Sequence, residues 1–141
     1  MSNLAQFTTQ PIVEASKLSV ANLLRDGTGT IVTISSGPVT TAANGVGKMI
    51  SEVLVQSTGT NAAGMVRFFI SINAGTNWNL IEEVSVTATT PSGTVQAFAV
   101  TVPLLVGMVL TGGNGSTAQC LLGASTNNAE TFNIIVTSGT L

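Results

Sequence analysis

From Thr28 onward the chain is written in short runs of β-branched and aromatic residues, each closed off by a cluster of Gly, Asn, Ser or Pro. That punctuation constrains the fold more than any other feature. Branching at Cβ restricts χ1 and suits the pleated, half-buried surface of a strand. The clusters supply the positive φ and the short side-chain hydrogen bonds on which tight turns depend. Apolar residues recur with a strand period rather than a helical one.

Strands are predicted at 28–35, 47–56, 64–72, 78–87, 94–102, 105–110, 117–124 and 131–137, with turns at 57–61, 73–77, 90–93, 111–115 and 125–128. In 64–72, Val66, Phe68, Ile70 and Ile72 face a core while Arg67 and Ser71 face away from it. In 94–102, Phe98, Val100 and Val102 alternate with Ala97, Ala99 and Thr101; in 131–137, Phe132, Ile134 and Val136 alternate with Asn133, Ile135 and Thr137. The runs 47–56 and 117–124 are partly apolar on both faces (Ile50, Val53, Leu54, Val55; Cys120, Leu121, Leu122), which places them centrally or against another subunit. Eight strands at this spacing predict an all-β fold, a single antiparallel β-sandwich of jelly-roll type.

Residues 1–27 differ in kind. Leu4, Phe7, Ile12 and Val13 are scattered around Pro11 without clean alternation, and Ser16 to Leu24 suits a short helix as well as extended chain. Proline disfavours a helix interior and a central strand. The chain therefore divides into an N-terminal arm, 1–27, and a β-sandwich domain, 28–141. The arm's Leu4, Phe7, Ile12 and Val13 are the candidate docking residues.

Charge narrows the partners. Only 7% of the residues are charged, against about 25% in an average domain, while Thr, Ser, Asn and Gly supply 60 of the 141. A net charge of −2 leaves little repulsion between copies, which suits life in an assembly. Together with strands apolar on both faces it predicts a homotrimer. Lys17, Arg25, Lys48 and Arg67 are too dispersed for the basic stripe that nucleic acid requires. The longest apolar stretch, 102–110, contains Pro103 and Gly107 and is far short of the roughly 20 residues of a spanning helix. No nucleic acid and no membrane is expected as a partner. The first residues lack a basic and an apolar region of the secretory kind, so synthesis in a reducing cytoplasm is expected.

The usual catalytic repertoire is thin. The sequence has no His and no Tyr, which excludes histidine-based triads and His-ligated metals. Glu82 and Glu83 are neighbours on a strand, so they point to opposite faces and cannot act as a paired acid and base. Asp26-Gly27-Thr28-Gly29-Thr30 lacks the Lys-Ser/Thr and the helix of a phosphate cradle, and reads as a turn. Cys120 reads as a small buried hydrophobe. Trp78 is the one aromatic platform that could stack on a sugar, but a rim or core role with its indole N–H bonded is the favoured reading. Arg67 is expected to pair with Glu52, Glu82 or Glu83 across neighbouring strands. No enzyme activity, cofactor or metal is expected.

The segments Asp-Gly-Thr-Gly-Thr-Ile-Val-Thr (26–33), Gly-Met-Val-Arg-Phe-Phe-Ile (64–70), Leu-Ile-Glu-Glu-Val-Ser-Val (80–86), Ala-Thr-Thr-Pro-Ser-Gly-Thr-Val-Gln-Ala-Phe (88–98) and Asn-Ala-Glu-Thr-Phe-Asn-Ile-Ile (128–135) carry a family likeness. Over residues 26–137 the chain resembles small virion proteins of tailed bacteriophages, most of all the capsid decoration, or cement, group. The last strand departs from that group, ending Val-Thr-Ser-Gly-Thr-Leu rather than in a Gly-Gly-acidic turn. The resemblance implies a β-sandwich that forms trimers on the outer surface of a phage head and pins neighbouring major capsid proteins. Two other readings stay open: a tail, baseplate or head-fibre component, and a carbohydrate-binding or adhesive β-module.

Overall fold

A computed structural model describes residues 10–39, 47–114 and 118–141. Among the described residues nine strands follow one another: β1 (Gln10–Leu18), β2 (Val32–Ser36), β3 (Lys48–Ser57), β4 (Gly64–Ser71), β5 (Asn79–Val86), β6 (Ala99–Thr101), β7 (Val109–Leu110), β8 (Leu121–Thr126) and β9 (Phe132–Thr140). A 3-10 turn, Pro103–Leu105, separates β6 from β7. Each of the eight runs expected from the sequence contains one of β2 to β9 in whole or in part.

The strands form two antiparallel sheets. Sheet A has the order β1-β9-β3-β6, with β7 continuing β6's edge further along β3; sheet B has the order β2-β8-β4-β5. The pairing is nested: β1 lies on β9, β2 on β8, β3 on β6 and β7, and β4 on β5. The chain is thus one long hairpin turned back at β4–β5 and rolled, so that β9 also meets β3 and β8 also meets β4. With β6 and β7 counted as one interrupted strand, this is an eight-stranded jelly roll.

The core lies between the sheets. Ile50, Val53 and Val55 of β3 and Phe132, Ile134 and Val136 of β9 meet Val66 and Phe68 of β4 and Leu122 and Ala124 of β8. Each such side chain contributes about 1.5–3 kcal/mol by leaving water. A bulge at Ser51 lets Ile50 and Val53 both point inward although they are three residues apart. Part of the doubly apolar look of 47–56 is therefore a kink in one strand.

Two expectations are corrected and one open reading is decided. The segment read as an arm contributes β1, paired with β9 from Gln10 to Leu18, so the sandwich includes residues 10–18 as well as those from 28 onward. Pro11 is compatible because β1 is an edge strand, where a missing N–H can face outward. No helix forms over 16–24, which holds the end of β1 and the connection after it. In β4 the alternation breaks at the end: Ile72 lies beyond the strand and is 71% exposed, while Arg67, Phe69 and Ser71 are buried. Residues 1–9 lie outside the described residues, and with them Leu4 and Phe7.

Both faces of β4 and β8 are covered. Towards the core, Phe68 lies opposite Ala124 and Ile70 opposite Leu122; on the outer face, Phe69 lies opposite Gly123 and Arg67 opposite Ser125. Gly123 is glycine for want of room. A Cβ there would stand 2.6 Å from Cγ2 of Ile31 and 2.8 Å from the Trp78 ring. Gly123→Ala must therefore push Ile31 and Trp78 off the sheet, and is expected to cost about 1–3 kcal/mol in denaturant unfolding. Intrinsic fluorescence from Trp78 provides the local readout.

Candidate interaction surfaces

The two outward faces of the sandwich are treated differently by the chain. Sheet B's is overlain by the β1–β2 connection, residues 19–31. Ala21 bridges to Thr126, and the Asn22 amide N–H donates to the Thr126 carbonyl at 2.8 Å. The buried Asn22 side chain then organises the connection: its Nδ2 donates to the carbonyls of Thr28 and Thr30, both at 3.0 Å, and its Oδ1 accepts from the Leu24 amide. An amide that donates twice and accepts once substitutes for the ladder a strand would provide.

Ionic contacts fasten this strap. Arg67 on β4 has a side chain only 5% exposed. It donates through Nε to Glu83 of β5 at 2.8 Å and through a terminal nitrogen to the Asn22 carbonyl at 3.2 Å. Arg25, on the strap, donates to the same Glu83 oxygen at 2.5 Å. Of the three acids expected for Arg67 the structure selects Glu83, which lies opposite it in register. The Arg25 guanidinium first, and Arg67 second, hold the Glu83 carboxyl below its ordinary range. A second pair works inside the sandwich, where buried Lys48 of β3 meets Glu14 of β1 at 2.5 Å and Ser35 of β2 donates to the same oxygen.

Sheet A's outer face has no such strap among the described residues. Three rows of side chains cross it: Lys17, Asn133, Gln56, Ala99; then Ala15, Ile135, Leu54, Thr101; then Val13, Thr137, Glu52. The middle row is mostly apolar, with Ile135 and Leu54 half-exposed at its centre. Beside Glu52 the face dips into a shallow depression of about 230 Å³, lined by Ser51, Thr101, Pro103 and Val106. Val13 lies on this face and is 70% exposed. Ile12, next to it on β1, points to the opposite side, between the sheets, and is half-buried. The two described members of the expected docking set thus do not form one patch.

Other residues singled out by sequence have structural posts. Trp78 lies half-buried with its ring against Gly123 and Gly75. Asp26 accepts from the amide and hydroxyl of Thr28, closing the turn read at 26–30. The Glu82 carboxylate turns back to the Glu83 amide, away from the arginines that hold Glu83. Burial pushes the Cys120 thiol above its ordinary range, as for a small core hydrophobe. Among the described residues no three of Asp, Glu and Cys gather into a group able to hold a metal. Sequence pointed to the arm; the open face of sheet A was not foreseen, because it exists only once β1, β9, β3 and β6 are in register.

No protein-family model and no curated protein sequence matches this chain. Among solved structures, a chain of the cyanophage Pam1 capsid asymmetric unit is similar at 18% identity and a TM-score of 0.41, covering 99% of this chain and 92% of that one. A chain from the structure of infectious bursal disease virus Gt strain is similar at 12% identity and a TM-score of 0.36, covering 97% of this chain and 34% of that one.

The strap generates a pH signature. Glu83's carboxyl is depressed in the folded state, so the stability it contributes is present above the unfolded glutamate value and is lost as pH falls through the folded one. Glu83→Gln leaves Arg67 without its anion. With allowance for the partial exposure of Glu83, it is expected to cost about 1–3 kcal/mol at pH 7. Urea melts of both proteins between pH 7 and pH 3 should show the gap narrowing once pH drops below the ordinary glutamate range. A gap independent of pH would show that the carboxylate charge is not what holds the strap.

Proposed function

We propose that this protein is a non-enzymatic virion component that decorates and cements the capsid of a tailed bacteriophage, sitting on the outer surface and binding across neighbouring major capsid proteins. The observation that carries this reading is the open face of sheet A: a broad sheet surface with two charges and an apolar centre, not covered by any described residue of a chain that straps down its other sheet, as suits a subunit that works in an assembly. Such a surface suits contact with other protein. Jelly rolls serve viral capsids and lectins alike. The sugar-binding alternative is weakened by Trp78, whose ring is committed to packing on Gly123. The likeness of residues 26–137 to decoration proteins supports the capsid.

Cementing by such a module rests on area and repetition. Standard interfaces bury about 1,200–2,000 Å² in all, and a unit that touches several shell subunits at once gains strength through effective concentration even where each contact is weak. Leu4 and Phe7 precede β1 in the chain and remain the proposed docking residues of the arm, each able to add about 1.5–3 kcal/mol on burial.

The test mixes purified protein with shells of the encoding phage assembled without it. Saturable binding at a fixed ratio to the major capsid protein, with a higher shell disruption temperature, is expected; no binding at any ratio removes the proposal. Deletion of residues 2–9 keeps every residue of Gln10–Leu18, the described strand β1. The truncated protein is expected to keep its unfolding transition and to bind the shell at least about tenfold more weakly, the loss corresponding to one or two buried apolar side chains. Unchanged binding would move attachment from the arm to the sandwich.

A further inference from the structure

Every charged residue of this chain lies within the described residues, and all but two have a polar partner in the fold. Arg25 and Arg67 share Glu83, Lys48 holds Glu14, Asp26 accepts from Thr28, Glu82 from the Glu83 amide, and Glu130 from the Ala62 amide. The two left over are Lys17 and Glu52. They are opposite in sign, both are exposed, and both stand on the open face of sheet A. They do not serve each other. Lys17 is on β1 opposite Asn133 and Glu52 on β3 opposite Thr137, two strands and four residues apart, which at ordinary strand spacing is about 17 Å.

We infer that this face binds a second copy of the chain about a twofold axis lying in the interface, Lys17 of each copy meeting Glu52 of the other. The register supplies the symmetry. Ile135 lies on the strand between β1 and β3 and two residues from both Asn133 and Thr137, so it marks the midpoint of the line from Lys17 to Glu52. A twofold axis through Ile135, square to that line, exchanges the two charges and sets Ile135 against its own copy. Isologous contacts of this kind are self-complementary by construction. The strands of the two copies then cross at roughly 70°, near the steep angle of orthogonally packed sheets.

The depression beside Glu52 fits the same occupant. Its walls of Pro103, Val106 and Thr101 are mainly apolar, and Glu52 lines it with them. A lysine brings an apolar stem and a cationic tip, and this is the side chain the symmetry delivers there. The flat footprint of the face, about 15 Å by 20 Å on strand spacing, is well below the roughly 800 Å² per partner of a standard interface. The contact is therefore a weak, reversible dimer, favoured where copies are crowded.

Sedimentation velocity from about 10 to 500 µM tests this on the full chain, a range set by the small footprint. The wild type is expected to show a dimer that grows with concentration. Lys17→Glu and Glu52→Lys each place like charges together twice, and each is expected to weaken the dimer at least about tenfold; the doubly substituted K17E/E52K protein restores both contacts and should return to within about threefold of wild type. Both sites are exposed, and circular dichroism melts confirm that the variants stay folded. A wild type that is monomeric throughout, single variants that dimerise as well as wild type, or a charge-swapped protein no better than the singles overturns the inference. So does a trimer indifferent to all three variants, the stoichiometry expected from sequence.

Discussion

The hydrogen-bonded ladder of β9 between β1 and β3 is the constraint on which the rest of this molecule depends. It joins the two ends of the described chain, with Leu18 opposite Phe132 and Ser57 opposite the same residue from the other side. Without it, β1 has no neighbour in sheet A, and β3 keeps only the short β6 and β7. Three buried core residues, Phe132, Ile134 and Val136, enter with it. Contacts of such long sequence separation carry loop-closure cost before they return any stability, so a slow, cooperative folding transition belongs to this topology.

Polar contacts hold the details in place. Buried ion pairs add little net stability compared with apolar packing, and leaving one partner alone is what costs heavily. Glu14 and Lys48 face inward on either side of β9, with Ser35 reaching them from β2. A one-residue slip of β1 on β9 would turn Glu14 out to solvent and strand Lys48, which makes the register of this edge strand specific. Arg67 does the same for the strap: without Glu83 and the Asn22 carbonyl, a guanidinium would lie unpaired on the outer face of sheet B. Three of the four basic residues are spent on these internal tasks.

Much of the fold was legible because most strands obey the alternation that water imposes on a half-buried sheet. β9 is the clear case, with Phe132, Ile134 and Val136 inside and Asn133, Ile135 and Thr137 outside. β1 was not legible for a physical reason. Its inward side runs Ile12, Glu14, Ser16, Leu18, so half of that row is polar, and the ion pair that makes Glu14 tolerable inside comes from Lys48, thirty-four residues away. Bulges hid two further features: the inward turn of both Ile50 and Val53, and the irregular edge of β5 opposite Phe68 and Phe69. The candidate face was illegible in principle, since Lys17, Ile135 and Glu52 fall on one diagonal only through the register of three strands distant in sequence.

The two outer faces then divide the work of a sandwich that has few charges to keep its copies apart. A bare sheet face with an apolar centre invites association, and a contact between two different patches would propagate head to tail without closing. A face that complements itself avoids this: two copies consume each other's exposed row and present nothing further of the same kind. Jelly-roll topology keeps such a contact clear of the loops. The connections β1–β2, β3–β4, β5–β6 and β8–β9 gather at one end of the sandwich, and Gln10 and Leu141 lie at the other. The loop end stands off the side of the sheet, so pairing through sheet A and docking through that end use separate surfaces, and one copy is able to do both at once.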